Sequence, residues 1–171
     1  IDRHLPTPMY RTNANGTINY GIPEVGANLS NKAVQVMMRG MFGKTDAKMQ
    51  QGHDAISPIL ARVTTGDGFY ADGTFIQHGN TPYIGGYGSG LIADINKLYY
   101  MYNGSDWPIS NDPNYDQPLK WAMDSYAPTI YDGSSFDTQR GRNASRQFSP
   151  DHLAGRSTIY SLAELAYTLP A

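Results

Sequence analysis

Two side chains able to move protons, His78 and Tyr87, lie nine residues apart in one polar, glycine-punctuated stretch, GDGFYADGTFIQHGNTPYIGGYG (Gly66–Gly88). An imidazole titrates near neutrality and can serve as acid or base. A phenol can hand over a proton and, once ionised, can take one. Each residue alone says little: a lone histidine is more often a hydrogen-bonded loop residue, and Tyr87 is one of thirteen tyrosines. Their company in one loop is the informative feature, because catalytic groups concentrate on loops set on helical scaffolds. Farther along, Arg140, Arg142 and Arg146 fall within seven residues with no acid among them. That cluster is either a solvated basic patch or a clamp for carboxylate or sulfate, which a guanidinium grips with two parallel bonds.

Several other chemistries lack support. The glycines around Tyr87 do not form the G-x-x-x-x-G-K-[ST] phosphate loop, and no lysine follows until Lys97. They are expected to let a chain-like ligand approach the backbone. Asp67 and Asp72 stand beside glycines and read as turn residues. Further oxygen ligands at calcium-loop spacing are missing. The four histidines are far apart in sequence and there is no cysteine, so no metal site and no disulfide framework is expected. A net charge of −2 gives no global attraction for nucleic acid, so any hold on an acidic ligand must be local. No apolar run is long enough to span a membrane, and no membrane span or leader segment is expected within these residues. Ile1 is an unusual natural start, which suggests a mature or cut fragment.

The elements that must position these groups are helical. Residues 1–21, with Pro6, Pro8 and the run TNANGTIN, show no period and read as extended loop. A helix then carries Leu29, Ala33, Val36, Met37 and Met41 at helical spacing, with Asn28 at its mouth and Gly40 and Gly43 at its end. Thr45 or Asp46 opens the next helix, which Pro58 breaks into two pieces or bends. FYADGTFIQH alternates weakly and allows a short extended segment. The clearest helical period follows it, over Leu91, Ile92, Ile95, Leu98, Tyr99 and Tyr102, and Asn103-Gly104 stops it. Pro118 starts a further helix with Leu119, Met123, Tyr126 and Ile130 on one face. Ser149 and Pro150 open a last one with Leu153, Ile159, Leu162, Ala163, Leu165 and Ala166 as its apolar residues. The prediction is an all-α chain of helical hairpins with long loops on one side.

Four ordered motifs resemble one family. GANL (26–29), DGFYADGTFIQH (67–78), YIGGYG (83–88) and RGRNASR (140–146) look like the polysaccharide lyases that act on hyaluronate, chondroitin AC and xanthan. The spacings agree too: Asn28 to His78 is fifty residues and His78 to Arg142 is sixty-four. The resemblance implies that residues 1–171 are a single segment, the second half of an incomplete α/α toroid, lacking the family's C-terminal β domains. It implies β-elimination across the C4–O4 bond of a uronic acid, leaving a 4,5-unsaturated uronate end, with no cofactor.

By the same resemblance, Asn28 binds the uronate carboxylate, His78 and Tyr87 transfer protons, and Arg142 and Arg146 are paired arginines. Arg140 and Asn80 join Arg146 as expected substrate contacts. The chemistry suits these types. The C5 proton is weakly acidic while its carboxylate is ionised, and donors from Asn28 and His78 would delocalise the charge that builds there. A free phenol ionises near ~10, so a phenolate at pH 7 costs roughly 4 kcal/mol, part of which a neighbouring guanidinium such as Arg142 removes. His78 as base with Tyr87 as acid is the competing assignment. The family's tryptophan-rich patch precedes the catalytic loop, whereas Trp107 and Trp121 follow it here.

The leading expectation is therefore a secreted bacterial lyase segment acting on an acidic polysaccharide. It would work with no nucleic-acid or membrane partner, and with the rest of the toroid and the β domains supplied by the full-length protein. The alternatives are a xanthan-type lyase within the family, or a non-catalytic carbohydrate-binding helical module.

Overall fold

A computed structural model describes residues 2–169; Ile1, Pro170 and Ala171, the ends of the expected 1–171 segment, lie outside the described residues. The architecture is helical, with short antiparallel strands at the loops. Helix α1 (Gly26–Gly43) buries Leu29, Ala33, Val36 and Met37, the i, i+4, i+7, i+8 stripe of an amphipathic helix. Met41, expected on that stripe, is 40 % exposed. The helix ends where Lys44 adopts a left-handed φ of 49° and returns its N–H to the carbonyls of Gly40 and Met41. Gly40 serves packing: a Cβ there would stand 2.8 Å from the backbone nitrogen of Met49 on α2 (Asp46–Asp54). A break at Ala55 separates α2 from α3 (Ile56–Leu60). Pro58 falls in the first turn of α3, where a missing N–H forfeits no helical bond.

Helix α4 (Ser89–Tyr102) is the centre of the core and packs against both α1 and the last helix, α6 (Asp151–Thr168). Its six periodic residues, Leu91 to Tyr102, are all at most 1 % exposed. Burial of each such side chain is worth about 1.5–3 kcal/mol before entropy is subtracted.

Two helical faces differ from expectation. After α5 (Gln117–Trp121) the chain widens into a π-helical turn, Ala122–Tyr126. The extra residue per turn shifts the inward spacing from four to five. Trp121 and Tyr126 are therefore buried, while Leu119 is 43 % and Met123 71 % exposed, and Ile130 leaves the helix for a strand. Helix α6 turns inward a face of small and polar residues, Gly155, Thr158 and Ser161, plus Leu165. Gly155 rests against the Gly133 backbone, between strands β6 (Ile130–Tyr131) and β7 (Ser134–Ser135). Leu153 and Ile159 consequently face outward. Pro150 occupies the cap position, and Ser149 makes no side-chain cap.

The stretch expected as an irregular arm contains a hairpin, β1 (Tyr10–Thr12) with β2 (Ile18–Pro23). In β2, Ile18, Tyr20 and Ile22 alternate with Asn19, Gly21 and Pro23 over too short a run to stand out, and Tyr20 and Ile22 remain exposed; the turn lies in TNANGTIN, with Gly16 at φ 89°. The organising loop forms a three-stranded sheet of β3 (Gly68–Phe69), β4 (Phe75–Gln77) and β5 (Thr81–Pro82). Phe69 and Phe75 pin it to the core, and Phe69 stacks on Trp121 at 4.0 Å and 13°.

Candidate active site

Strands β4 and β5 are joined by His78, Gly79 and Asn80, with Gln77 paired to Thr81. So short a turn needs left-handed backbone, supplied by His78 at φ 59° and Gly79 at φ 83°. The imidazole is thereby thrown off the sheet into an exposed position. Directly after β5 the chain makes a π-helical turn, Ile84–Gly88, that runs into α4 and carries Tyr87. Tyr126 fixes the end of this turn by donating to the Gly88 carbonyl at 2.6 Å. Burial pushes the Tyr126 phenol well up, which keeps it a donor.

Three rings meet here. His78 stands edge-on to Tyr87, with centroids 4.8 Å apart and planes at 86°. Tyr83, 1 % exposed, packs against Tyr87 at 4.9 Å and donates to Asn143 Oδ1 at 3.2 Å. From the opposite segment, Arg142 Nη2 donates to the Tyr87 hydroxyl at 3.1 Å, and its Cζ lies 5.9 Å from the ring centroid.

From sequence the glycines beside Tyr87 are expected to let a ligand approach the backbone; Gly86 and Gly90 line the adjoining cleft, and Gly85 and Gly86 also allow close packing. A Cβ on Gly85 would meet Arg140 Cγ at 2.7 Å; one on Gly86 would meet Asn143 Nδ2 at 2.7 Å. Gly90 alone of these faces open space.

Tyr87 and Arg142 line a cleft of about 860 Å³ together with Asn28, Arg146, Asn31 and Gly86. Asn28 lies within the first turn of α1 rather than at its mouth. The helix starts early because the Ala27 N–H finds an acceptor in the buried Gln77 Oε1, 3.2 Å away, although Val25 at the cap position offers no side-chain acceptor. No side-chain hydrogen bond among the described residues uses Asn28, so its amide is available to the cleft. Also on the cleft wall, Glu24 pairs with Lys32 at 2.5 Å and lies 3.8 Å from Arg11, so one carboxylate offsets one of those two cations. Arg142 and Arg146 have no carboxylate partner among the described residues, so two unpaired cations stand on the cleft wall that Tyr87 also lines.

Two predicted contacts stand elsewhere. Arg140 is 2 % exposed, and its guanidinium is committed to Asp137 at 2.6 Å and to the carbonyls of Asn143 and Ser149. It ties the arginine segment together and does not line the cleft. Asn80 is exposed at the turn tip and also lies off the cleft wall. His78 reaches the site through its contact with Tyr87, not as a wall of the cleft. Sequence reasoning passed over Tyr83 and Asn143, which brace Tyr87 and Arg142. It also read Asp67 as a turn residue, whereas its carboxylate accepts from Gly79 N–H at 2.6 Å and from Gln77. Among the described residues no group of three His, Asp or Glu is placed to hold a metal ion.

The sequence model for polysaccharide lyase family 8, N-terminal alpha-helical domain, matches residues 1–171. The chain belongs to this family. Its similarity to the xanthan lyase of Bacillus sp. (strain GL1) is 38 % identity over 160 residues, covering 91 % of this chain and 17 % of that protein. The hyaluronate lyase of Thermasporomyces composti is 38 % identical over 141 residues, covering 82 % and 18 %. The solved structure of a Paenibacillus xanthan lyase superposes with TM-score 0.80 at 38 % identity, over 86 % of this chain and 14 % of that one. The Streptomyces coelicolor A3 chondroitin AC lyase, solved with chondroitin sulphate, gives TM-score 0.79 at 34 % identity, over 85 % and 21 %. The chain thus spans under a fifth of the length of these two curated family 8 relatives. Its helical class agrees with the family's N-terminal domain, and no described helix is long and apolar enough to cross a membrane.

Proposed function

We propose that the full-length protein containing this chain cleaves uronate-bearing acidic polysaccharides by β-elimination. The observation that carries this reading is the Tyr87 hydroxyl held by Arg142 at 3.1 Å in the cleft that Asn28 also lines. In the proposed reaction the Asn28 amide, aided by His78, donates to the uronate carboxylate and stabilises the charge that accumulates as C5 loses its proton. Tyr87 takes that proton. The C5–H pair becomes the C4=C5 double bond, the C4–O4 bond breaks, and Tyr87 returns the proton to the departing O4. Arg142 favours negative charge on the phenol oxygen during the cycle. Tyr87 is preferred to His78 as base because its ring lines the cleft while the imidazole abuts it from the side. Arg146 is free to meet a carboxylate or sulfate on a neighbouring sugar.

The reading extends to the setting. Such polymers do not enter a cell intact, so the enzyme acts outside it, as a secreted protein. The exposed Met38, Phe42, Tyr100, Tyr160 and Tyr167 on α1, α4 and α6 are taken to be covered by further helices of the same toroid, of which this chain forms the later part. The test is the full-length protein on hyaluronan, chondroitin and xanthan, followed by ultraviolet absorbance of unsaturated uronate. Product from at least one polymer supports the proposal. Binding without product from any of the three would make this a carbohydrate-binding module instead.

A further inference from the structure

We infer that Gln77 and Asp67 are positioning residues that lock the Asn28 end of α1 to the His78 turn; the inference rests on the elimination reading for its catalytic meaning. Gln77 is wholly buried and its amide is used at both ends. Its Oε1 accepts from the Ala27 N–H at 3.2 Å, one residue before Asn28. Its Nε2 donates to Asp67 Oδ2 at 2.5 Å. Asp67 Oδ1 then accepts from the Gly79 N–H at 2.6 Å, one residue after His78. Three hydrogen bonds in series therefore join the backbones that carry the carboxylate-binding amide and the imidazole.

Each end needs this tie. Helix α1 has no side-chain acceptor at its own cap residue, Val25, so Gln77 caps it from fifty residues away. Gly26 permits the approach: it sits at φ 55°, and a Cβ there would stand 2.8 Å from Gln77 Oε1. At the other end His78 holds a left-handed backbone in an exposed three-residue turn, a conformation that persists only where its surroundings hold it. The relay is buried at Gln77 and partly exposed at Asp67, each linking atom has a partner, and one reversed dipole leaves two like groups facing each other.

That polarity supplies the test. Asp67→Asn turns an amide N–H toward Gln77 Nε2, and Gln77→Glu turns a carboxylate toward Asp67. The double variant, Asp67→Asn with Gln77→Glu, restores all three bonds with the middle one reversed: Ala27 N–H to Glu, Asn amide to Glu, Gly79 N–H to Asn oxygen. In the full-length enzyme kcat, KM, melting temperature and peptide-level amide exchange around Ala27 and Gly79 are measured for all four proteins. The expectation is a loss of about tenfold or more in kcat for each single variant, with KM little changed. The double variant returns to within about threefold, and exchange quickens in the singles but not in the double. Singles that keep wild-type kcat, or a double that regains melting temperature and slow exchange but not kcat, would overturn the positioning role. If wild type yields no unsaturated product, only the elimination reading fails. Exchange still decides the lock: unchanged exchange in both singles overturns it, and quickening reversed in the double upholds it.

Discussion

Arg142→Ala isolates the interaction on which the proposed chemistry turns. The guanidinium contributes one hydrogen bond to the Tyr87 hydroxyl, 3.1 Å long, and a position 5.9 Å from the ring centroid. A hydrogen bond to a charged partner is worth about 1.5–3 kcal/mol. Arg142 is exposed, so solvent and salt screen part of this, and about 1–2 kcal/mol is the appropriate range. At ~1.4 kcal/mol per factor of ten, that corresponds to a roughly 5- to 30-fold fall in kcat. The assay is the initial rate of ultraviolet-absorbing product release by the full-length enzyme over a range of polymer concentrations, with a thermal scan beside it. Melting should be unchanged, because the side chain is exposed and packs into no core. Arg142→Lys should recover part of the rate, since it keeps the charge but loses the planar fork. An alanine variant within twofold of wild-type kcat, or one whose entire defect is in KM, refutes the reasoning: Arg142 would then hold polymer and leave the phenol alone.

Other consequences are independent of that bond. Gly26→Ala forces a side chain into a left-handed position and toward Gln77 Oε1; a destabilisation of about 1–3 kcal/mol is expected from denaturant unfolding, and an unchanged midpoint would contradict the geometry. Gly155→Ala drives a methyl into the Gly133 carbonyl and should cost about 3 kcal/mol or prevent soluble expression, whereas Gly90→Ala, which meets nothing, should be neutral within ~0.5 kcal/mol. Burial raises the phenols of Tyr99, Tyr102 and Tyr126. A neutral acid whose folded value lies above its unfolded one adds stability below the unfolded value, and that stability is lost as pH climbs beyond ~10. Ultraviolet titration should therefore show these phenolates appearing only together with loss of circular dichroism; smooth ionisation near pH ~10 in an intact fold would show the burial to be wrong.

Helices with a regular apolar period were readable from the residues alone. α4 shows it best, because Leu91 to Tyr102 keep one spacing and all six are buried. The period misleads where geometry changes beneath it. The π-helical turn after Trp121 moves the inward face to Tyr126 and leaves Leu119 and Met123 outside, and nothing local in AMDSY announces the extra residue. In α6 the buried side near its start is set by how closely Gly155 approaches another backbone, so Leu153 and Ile159 face out while Leu165 stays buried. Within the site, Asn28, Tyr87, Arg142 and Arg146 do line one cleft, and His78 touches Tyr87. Arg140 looked equivalent to its neighbours, because three arginines in a row of seven carry no label for which one the fold turns inward. Gln77 was invisible for a related reason: a glutamine reads as polar surface unless its distant partners, Ala27 and Asp67, are known.

The most direct test of elimination is Tyr87→Phe in the full-length enzyme. The substitution removes one oxygen and leaves the ring free to keep its contacts with His78 and Tyr83. The account predicts a folded protein that still binds the polymer but releases unsaturated product no faster than a blank. A variant that retains even a tenth of the wild-type rate would contradict it.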